Sequence, residues 1–233
     1  ASIYGNRAAN GVVLIETKKG TTGKTTVTYN GSFGWQSPTE LPDFLPSWEY
    51  AEYYNMAMRN MGRQEAYTAE QIQKYRDGSD PDNYPNVNHL KWLLESGSGF
   101  QHQHNIGIQG GNTSMSYNLS IGYRNQEGMT ANTNNERFTA LFSMKSNLSK
   151  SLHLNLNINA YNNTYNAPNG EPQSIDGMIG YTVREGAIYA GKKSDGSFGY
   201  QDNYSPEAWL NGESFVKNIS RNVSASGQLT WDT

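Results

Sequence analysis

From Leu152 to Ala160 the side chains alternate without a break. Leu152, Leu154, Leu156, Ile158 and Ala160 fall on one face, and His153, Asn155, Asn157 and Asn159 on the other. A period of two belongs to an extended strand, because successive side chains leave opposite sides of the backbone. Helical spacing would scatter the asparagines around the whole circumference. The same rhythm recurs. Tyr117, Leu119, Ile121 and Tyr123 alternate with Asn118, Ser120, Gly122 and Arg124. Phe138, Ala140, Phe142, Met144 and Leu148 share a face, with Leu141 interrupting the polar set opposite. Val27, Tyr29, Phe33 and Trp35, then Ile106 and Ile108, then Ile219, Val223, Ala225, Leu229 and Trp231 mark three more. The pattern predicts six strands, most about the 9–11 residues that a tilted membrane strand needs.

The connections alternate as well. Gly110-Gly111-Asn112-Thr113 and the stretch from Asn147 to Ser151 are short and turn-forming. The connections 37–100, 125–136 and 162–214 are longer. Short turns at one rim and long loops at the other describe an outer-membrane barrel. The long loops carry helix signals: Ser47 as a cap for a helix reaching Asn60, Thr68 and Gln71 as a capping box for one ending near Gly78, and a third over His89 to Glu95.

Composition separates the classes that such strands allow. Charged residues are 17 %, against about 25 % in ordinary soluble domains, while Asn numbers 27, Gly 24 and Tyr 16. A mean hydropathy of -0.77 with no run of 18 apolar residues excludes a transmembrane helix. It does not exclude a transmembrane barrel, whose strands average apolar and polar faces. A secreted soluble β-sandwich that binds glycans has the same alternation and is the alternative reading. A passive porin-like barrel is a third. The net charge of -3 argues against a nucleic-acid partner. The first residue is Ala and the chain stops on a strand-like pattern, which reads as a piece of a longer protein.

The chemistry-bearing residues point away from catalysis. Without cysteine there is no disulfide framework, thiolate metal site or cysteine nucleophile. No pair of carboxylates has general acid–base spacing, and no Gly-rich phosphate loop is present, so no catalytic residue, cofactor or metal is expected. His102 and His104 would share a strand face but lack a third ligand. Asp77, Asp80 and Asp82 miss the EF-hand spacing and its closing Glu. Triplets such as Asn118-Leu-Ser120 fall inside strands and read as polarity rather than glycan acceptors. Tyr29, Trp35, Tyr117, Tyr123 and Trp231 sit on apolar faces near strand ends, as an interfacial girdle or a soluble core would place them. Tyr189, Tyr200, Tyr204 and Trp209 lie among Gly and polar residues of the last long loop. There they either stack on sugars or grip a partner, or pack the loop on itself.

The first twenty residues carry a specific motif. Tyr4-Gly5-Asn6-Arg7-Ala8-Ala9-Asn10-Gly11 leads into Val12-Val13-Leu14-Ile15 and leaves through Thr17-Lys18-Lys19-Gly20. This resembles the end of the plug domain in SusC/RagA-like TonB-dependent outer-membrane transporters. Val27 to Gln36 resembles the family's first barrel strand, and Gly78 to Asn86 its first long loop. His104 to Gly111 and Ser120 to Gly128 resemble its second and third strands. Pro206-Glu207-Ala208-Trp209-Leu210 departs from the family's Asn-Pro-x-Ala-Leu-Leu pattern.

The resemblance implies an all-β chain. Residues 1–20 would be the C-terminal end of the plug and 21–233 the N-terminal part of an antiparallel transmembrane β-barrel, with short helices in its extracellular loops. Plugged barrels have about 22 strands, so six would be one part of the wall. Gly5 and Gly11 would permit the turn around Arg7, with Tyr4, Arg7 and Asn10 completing the plug turn and its contact with the wall. The implied function is TonB-dependent import of a bulky nutrient, an oligosaccharide or a peptide, across the bacterial outer membrane. The implied partners are a SusD-like lipoprotein, the TonB–ExbB–ExbD energising complex and outer-membrane lipid.

Overall fold

All six predicted strands form, and they form one sheet. In the computed structural model, residues 20–169, 175–202 and 204–232 are described. The strands are β1 (Gly23–Trp35), β2 (Phe100–Gly111), β3 (Met115–Glu127), β4 (Asn134–Asn147), β5 (Leu152–Pro168) and β6 (Phe215–Trp231). They pair antiparallel in chain order, which leaves β1 and β6 as the edges of an unclosed sheet. Tyr4, Gly5, Arg7, Asn10 and Gly11, expected to form a plug turn, lie outside the described residues.

The register sorts the side chains by polarity. Val27 pairs with Ile108, Ile106 with Ile121, Leu119 with Phe142, and Ile158 with Ala225. On the other face Thr28 pairs with Gly107, Asn118 with Ser143, and Asn157 with Ser226. Because the side-chain period is two, a slip of one residue would put every apolar group on the polar side. Among the described residues no second sheet covers either face, and Val27, Ile121 and Val223 remain 67, 49 and 76 % exposed.

Two long connections are shorter than the sequence expectation. The one assigned to 162–214 contracts to 169–214, because β5 stays in register with β6 as far as Pro168 and Phe215. The connection assigned to 125–136 contracts to 128–133, because Asn125, Gln126 and Glu127 continue the ladder with Glu136, Asn135 and Asn134. Polar side chains close the gap: Asn134 Nδ2 donates to Asn125 Oδ1 at 2.7 Å. Asn132, with φ of 59°, turns the chain there. The strands outlast the apolar alternation that announced them.

The connections contain α1 (Ser47–Asn60), α2 (Ala69–Asp77), α3 (His89–Leu94), α4 (Ile175–Thr182) and α5 (Pro206–Leu210). Ser47 does not cap α1. It is the first helical residue, Pro46 occupies the cap, and the Ser47 amide donates to Asn86 Oδ1 at 3.0 Å. A side chain from elsewhere in the connection thus supplies the acceptor that Ser47 was expected to provide. The capping box of α2 forms as expected, and Gly78 ends the helix in the left-handed region with φ of 63°. Leu93, Met178 and Leu210 make the hydrophobic core, with Trp92, Ile175, Ile179 and Trp209 packed against it. That core lies in the connections rather than on the sheet.

Candidate functional site

The polar face is a trough. Asn30, Asn105, Asn118, Ser120, Asn157 and Ser224 line a cavity of about 570 Å³ along it. Uncharged amides and hydroxyls offer both donors and acceptors, which suits contact with a hydrated surface or a polar solute. The charges present are positive. Arg124 and Arg137 oppose each other in the β3–β4 register, and the Arg137 guanidinium lies 4.6 Å from the centre of the Tyr161 ring. Among the described strand residues no carboxylate shares this face.

The opposite face carries a band of rings at the end where the long connections emerge. Trp35 and Phe100 lie 5.2 Å apart, Phe100 and His102 5.5 Å, His102 and Tyr123 5.6 Å, and Tyr123 and Phe138 4.7 Å. His102 and His104 belong to this band. Tyr29 Oη and His104 Nδ1 are 2.7 Å apart, and His102 Nδ1 and His104 Nε2 are 3.1 Å apart. Tyr117 and Trp231 occupy the hairpin end. Amphipathic rings at both margins of an apolar band match the two interfaces of a bilayer.

Of the four loop aromatics singled out in the sequence, only Tyr204 and Trp209 meet, with ring centres 5.8 Å apart. Tyr204 stacks on Tyr181 at 4.1 Å, and Trp209 meets the same ring edge-on at 5.4 Å. Tyr200 is exposed. Tyr189 is half-buried in a turn, where its amide donates to Gly186 O at 3.0 Å. Asp77, Asp80 and Asp82 do not converge on one point either. Asp77 accepts from the Ser79 amide, Asp80 from Asn83 Nδ2 and Asp82 from the Ser194 amide.

The structure assembles one cluster that sequence spacing did not reveal. His89, at the start of α3, places Nδ1 2.6 Å from Glu207 Oε1 in α5 and 3.5 Å from Glu185 Oε2, just beyond α4. The three side chains are at most 3 % exposed. Burial pushes the Glu185 carboxyl up to about 7. The positive charge of His89 works against that rise, and the like charge of Glu207 adds to it. Burial pulls His89 down, but the Glu207 hydrogen bond and the two carboxylate charges outweigh it and leave the imidazole raised.

Known proteins resemble the chain in sequence and in fold. No family model matches the chain. TonB-dependent receptor P3 of Formosa agariphila is 30 % identical over 149 residues, which is 64 % of this chain and 13 % of that protein. TonB-dependent receptor SusC of Bacteroides thetaiotaomicron is 32 % identical over 143 residues, 60 % of this chain and 12 % of SusC. The chain thus spans about an eighth of the length of these relatives. The structure of the RagAB peptide transporter superposes with a TM-score of 0.66 at 21 % identity, covering 98 % of this chain and 29 % of that one. Over the matched residues the chain is similar in sequence to TonB-dependent receptors, and its fold is that of a segment of the RagAB peptide transporter.

Proposed function

We propose that the chain forms part of a TonB-dependent outer-membrane transporter that imports a bulky nutrient, an oligosaccharide or a peptide. The observation that carries this reading is the sheet itself. Its register gathers apolar side chains on one uncovered face and amides and hydroxyls on the other. Lipid is the partner that suits the first face, and a water-filled, plugged lumen suits the second. The open edges at β1 and β6 require further strands, since an unpaired edge is not tolerated within hydrocarbon. Residues 1–20 would end the plug and 21–233 begin the barrel. Tyr4, Gly5, Arg7, Asn10 and Gly11 would then bring the plug turn to the wall.

The relatives support the partners in the same way. The matched structure is that of a peptide transporter, and SusC is a TonB-dependent receptor. In this reading the TonB–ExbB–ExbD complex energises the plug, and a SusD-like lipoprotein covers the long connections. Tyr189 and Tyr200 are the loop aromatics left to meet substrate or partner, while Tyr204 and Trp209 hold the loop.

The test is to express the full-length protein, fractionate the cells and compare gel migration before and after boiling. Recovery in the outer membrane with a heat-dependent shift is expected, together with nutrient uptake that stops when TonB is removed. A soluble protein with no shift would overturn the proposal.

A further inference from the structure

His89, Glu185 and Glu207 leave a buried imbalance. The two carboxylates carry four oxygens, and only Glu207 Oε1 has a hydrogen-bonding partner, His89 Nδ1 at 2.6 Å. Glu207 Oε2 and both oxygens of Glu185 have none among the described residues. Buried carboxylate oxygens are ordinarily paired or coordinated to a metal, because the interior does not replace the water they lose. One imidazolium supplies a single positive charge to two carboxylates. The neighbouring cation, Arg184, does not make up the difference, since its guanidinium lies over the Tyr181 ring at 5.7 Å.

The ligand geometry is that of a cation site. One ligand atom from each of the three residues lies within 4.8 Å of the others. Tetrahedral bonds of about 2.0–2.2 Å hold ligand atoms about 3.3–3.5 Å apart, so His89 Nδ1 and Glu207 Oε1 part from 2.6 Å to admit the ion, while Glu185 Oε2 already lies 3.5 Å from Nδ1. One imidazole nitrogen with two carboxylates suits zinc and metals of similar softness, whereas calcium takes six to eight oxygens. Two carboxylates and a neutral imidazole also balance a divalent charge. A cavity of about 240 Å³, lined by His89, Glu185, Tyr50, Val87 and Arg184, adjoins the cluster and gives it a route of entry.

We infer that His89, Glu185 and Glu207 bind a zinc-class divalent cation that ties the 36–99 connection to the 169–214 connection. The cation displaces the proton held between His89 Nδ1 and Glu207 Oε1, and Glu185 closes onto it. Three protein ligands leave a further position toward the cavity, which water fills. The ion thus fixes two long connections to each other.

The experiment uses the full-length protein purified in detergent, stripped with EDTA and titrated with Zn²⁺ by calorimetry. Co²⁺ absorption serves as an independent report of coordination. The expected result is one equivalent of Zn²⁺ and visible Co²⁺ bands, both lost in Glu185→Gln and in Glu207→Gln. Glu185→Gln is the cleaner variant, because no hydrogen bond in the described residues depends on its carboxylate. An unchanged proteolysis pattern would show that its loops remain folded. Absence of zinc binding in the wild type would overturn the inference, leaving a proton-sharing cluster. Retention of the same equivalent in Glu185→Gln would overturn it too, by placing the metal elsewhere. Neither result bears on transport, which is read by uptake.

Discussion

Leu90, Leu93, Met178 and Leu210 are buried in the connections, while Val27, Phe33, Ile121 and Val223 stand exposed on the strands. The connections resemble a small soluble domain: α2 is capped at both ends, a hydrophobic cluster joins α3, α4 and α5, and buried polar groups cluster beneath them. The sheet pairs regularly apart from one register shift between Gly23 and Thr26, but it has no core of its own. The difference shows where each region finds its stability. The loops bury their apolar surface against one another. In the setting proposed above, the strands would find their stability in lipid outside, a filled lumen inside and more strands at the edges. A sequence can therefore specify every strand of such a sheet without specifying a domain that folds alone.

The largest expected effect tests the independence of the loops. Leu93→Ala removes the centre of their core and should cost about 2–5 kcal/mol of local stability. Limited proteolysis should cut the 36–99 and 169–214 connections faster, while heat-dependent gel migration of the full-length protein stays unchanged. Loss of the gel shift would break the comparison by making the barrel depend on the loop core. The next effect tests the two faces of the sheet. Ile121→Arg places a charge on the apolar face and should cost about 2–4 kcal/mol near the bilayer midplane. Ser120→Arg, one residue away on the polar face, should be nearly neutral. Urea unfolding in liposomes separates the two variants, and equal costs would refute the lipid and lumen assignment.

Strand identity was legible because the pleat imposes a period of two and the sequence obeys it. Strand ends were not, because Asn125–Glu127 and Asn134–Glu136 pair through the backbone after the polarity pattern has stopped. The start of α1 depends on Asn86, 39 positions from Ser47, so no local cap signal could place it. For α5 a signal was present in Ser205-Pro206-Glu207: the Ser205 hydroxyl accepts from the Ala208 amide, and proline occupies the first turn. Ile175, Met178 and Ile179 carried the helical spacing of α4. The aromatics of the last loop were ambiguous in kind, since a ring that stacks on Tyr181 reads like one that stacks on a sugar. The buried cluster was illegible for a simpler reason. His89 and Glu207 are 118 positions apart, and only the packing of α3 against α5 joins them.

The smallest expected effect sharpens the comparison at a single helix. Helix α2 has nine residues and buries only Tyr75, too little length and contact to hold a helix by propensity alone. Its first turn depends on two reciprocal bonds, from the Gln71 amide to Thr68 Oγ1 at 3.2 Å and from the Thr68 amide to Gln71 Oε1 at 2.8 Å. Thr68→Ala removes the first and weakens the second by freeing the Gln71 side chain. The cost should be about 0.5–2 kcal/mol, since water can reach the exposed amides left behind. Hydrogen exchange of the α2 amides should then quicken by about 2-fold to 30-fold. Exchange in β2 and β3 should not change, because the sheet takes no stability from this helix. Faster exchange in the strands as well would mean that the loops and the wall open as one unit.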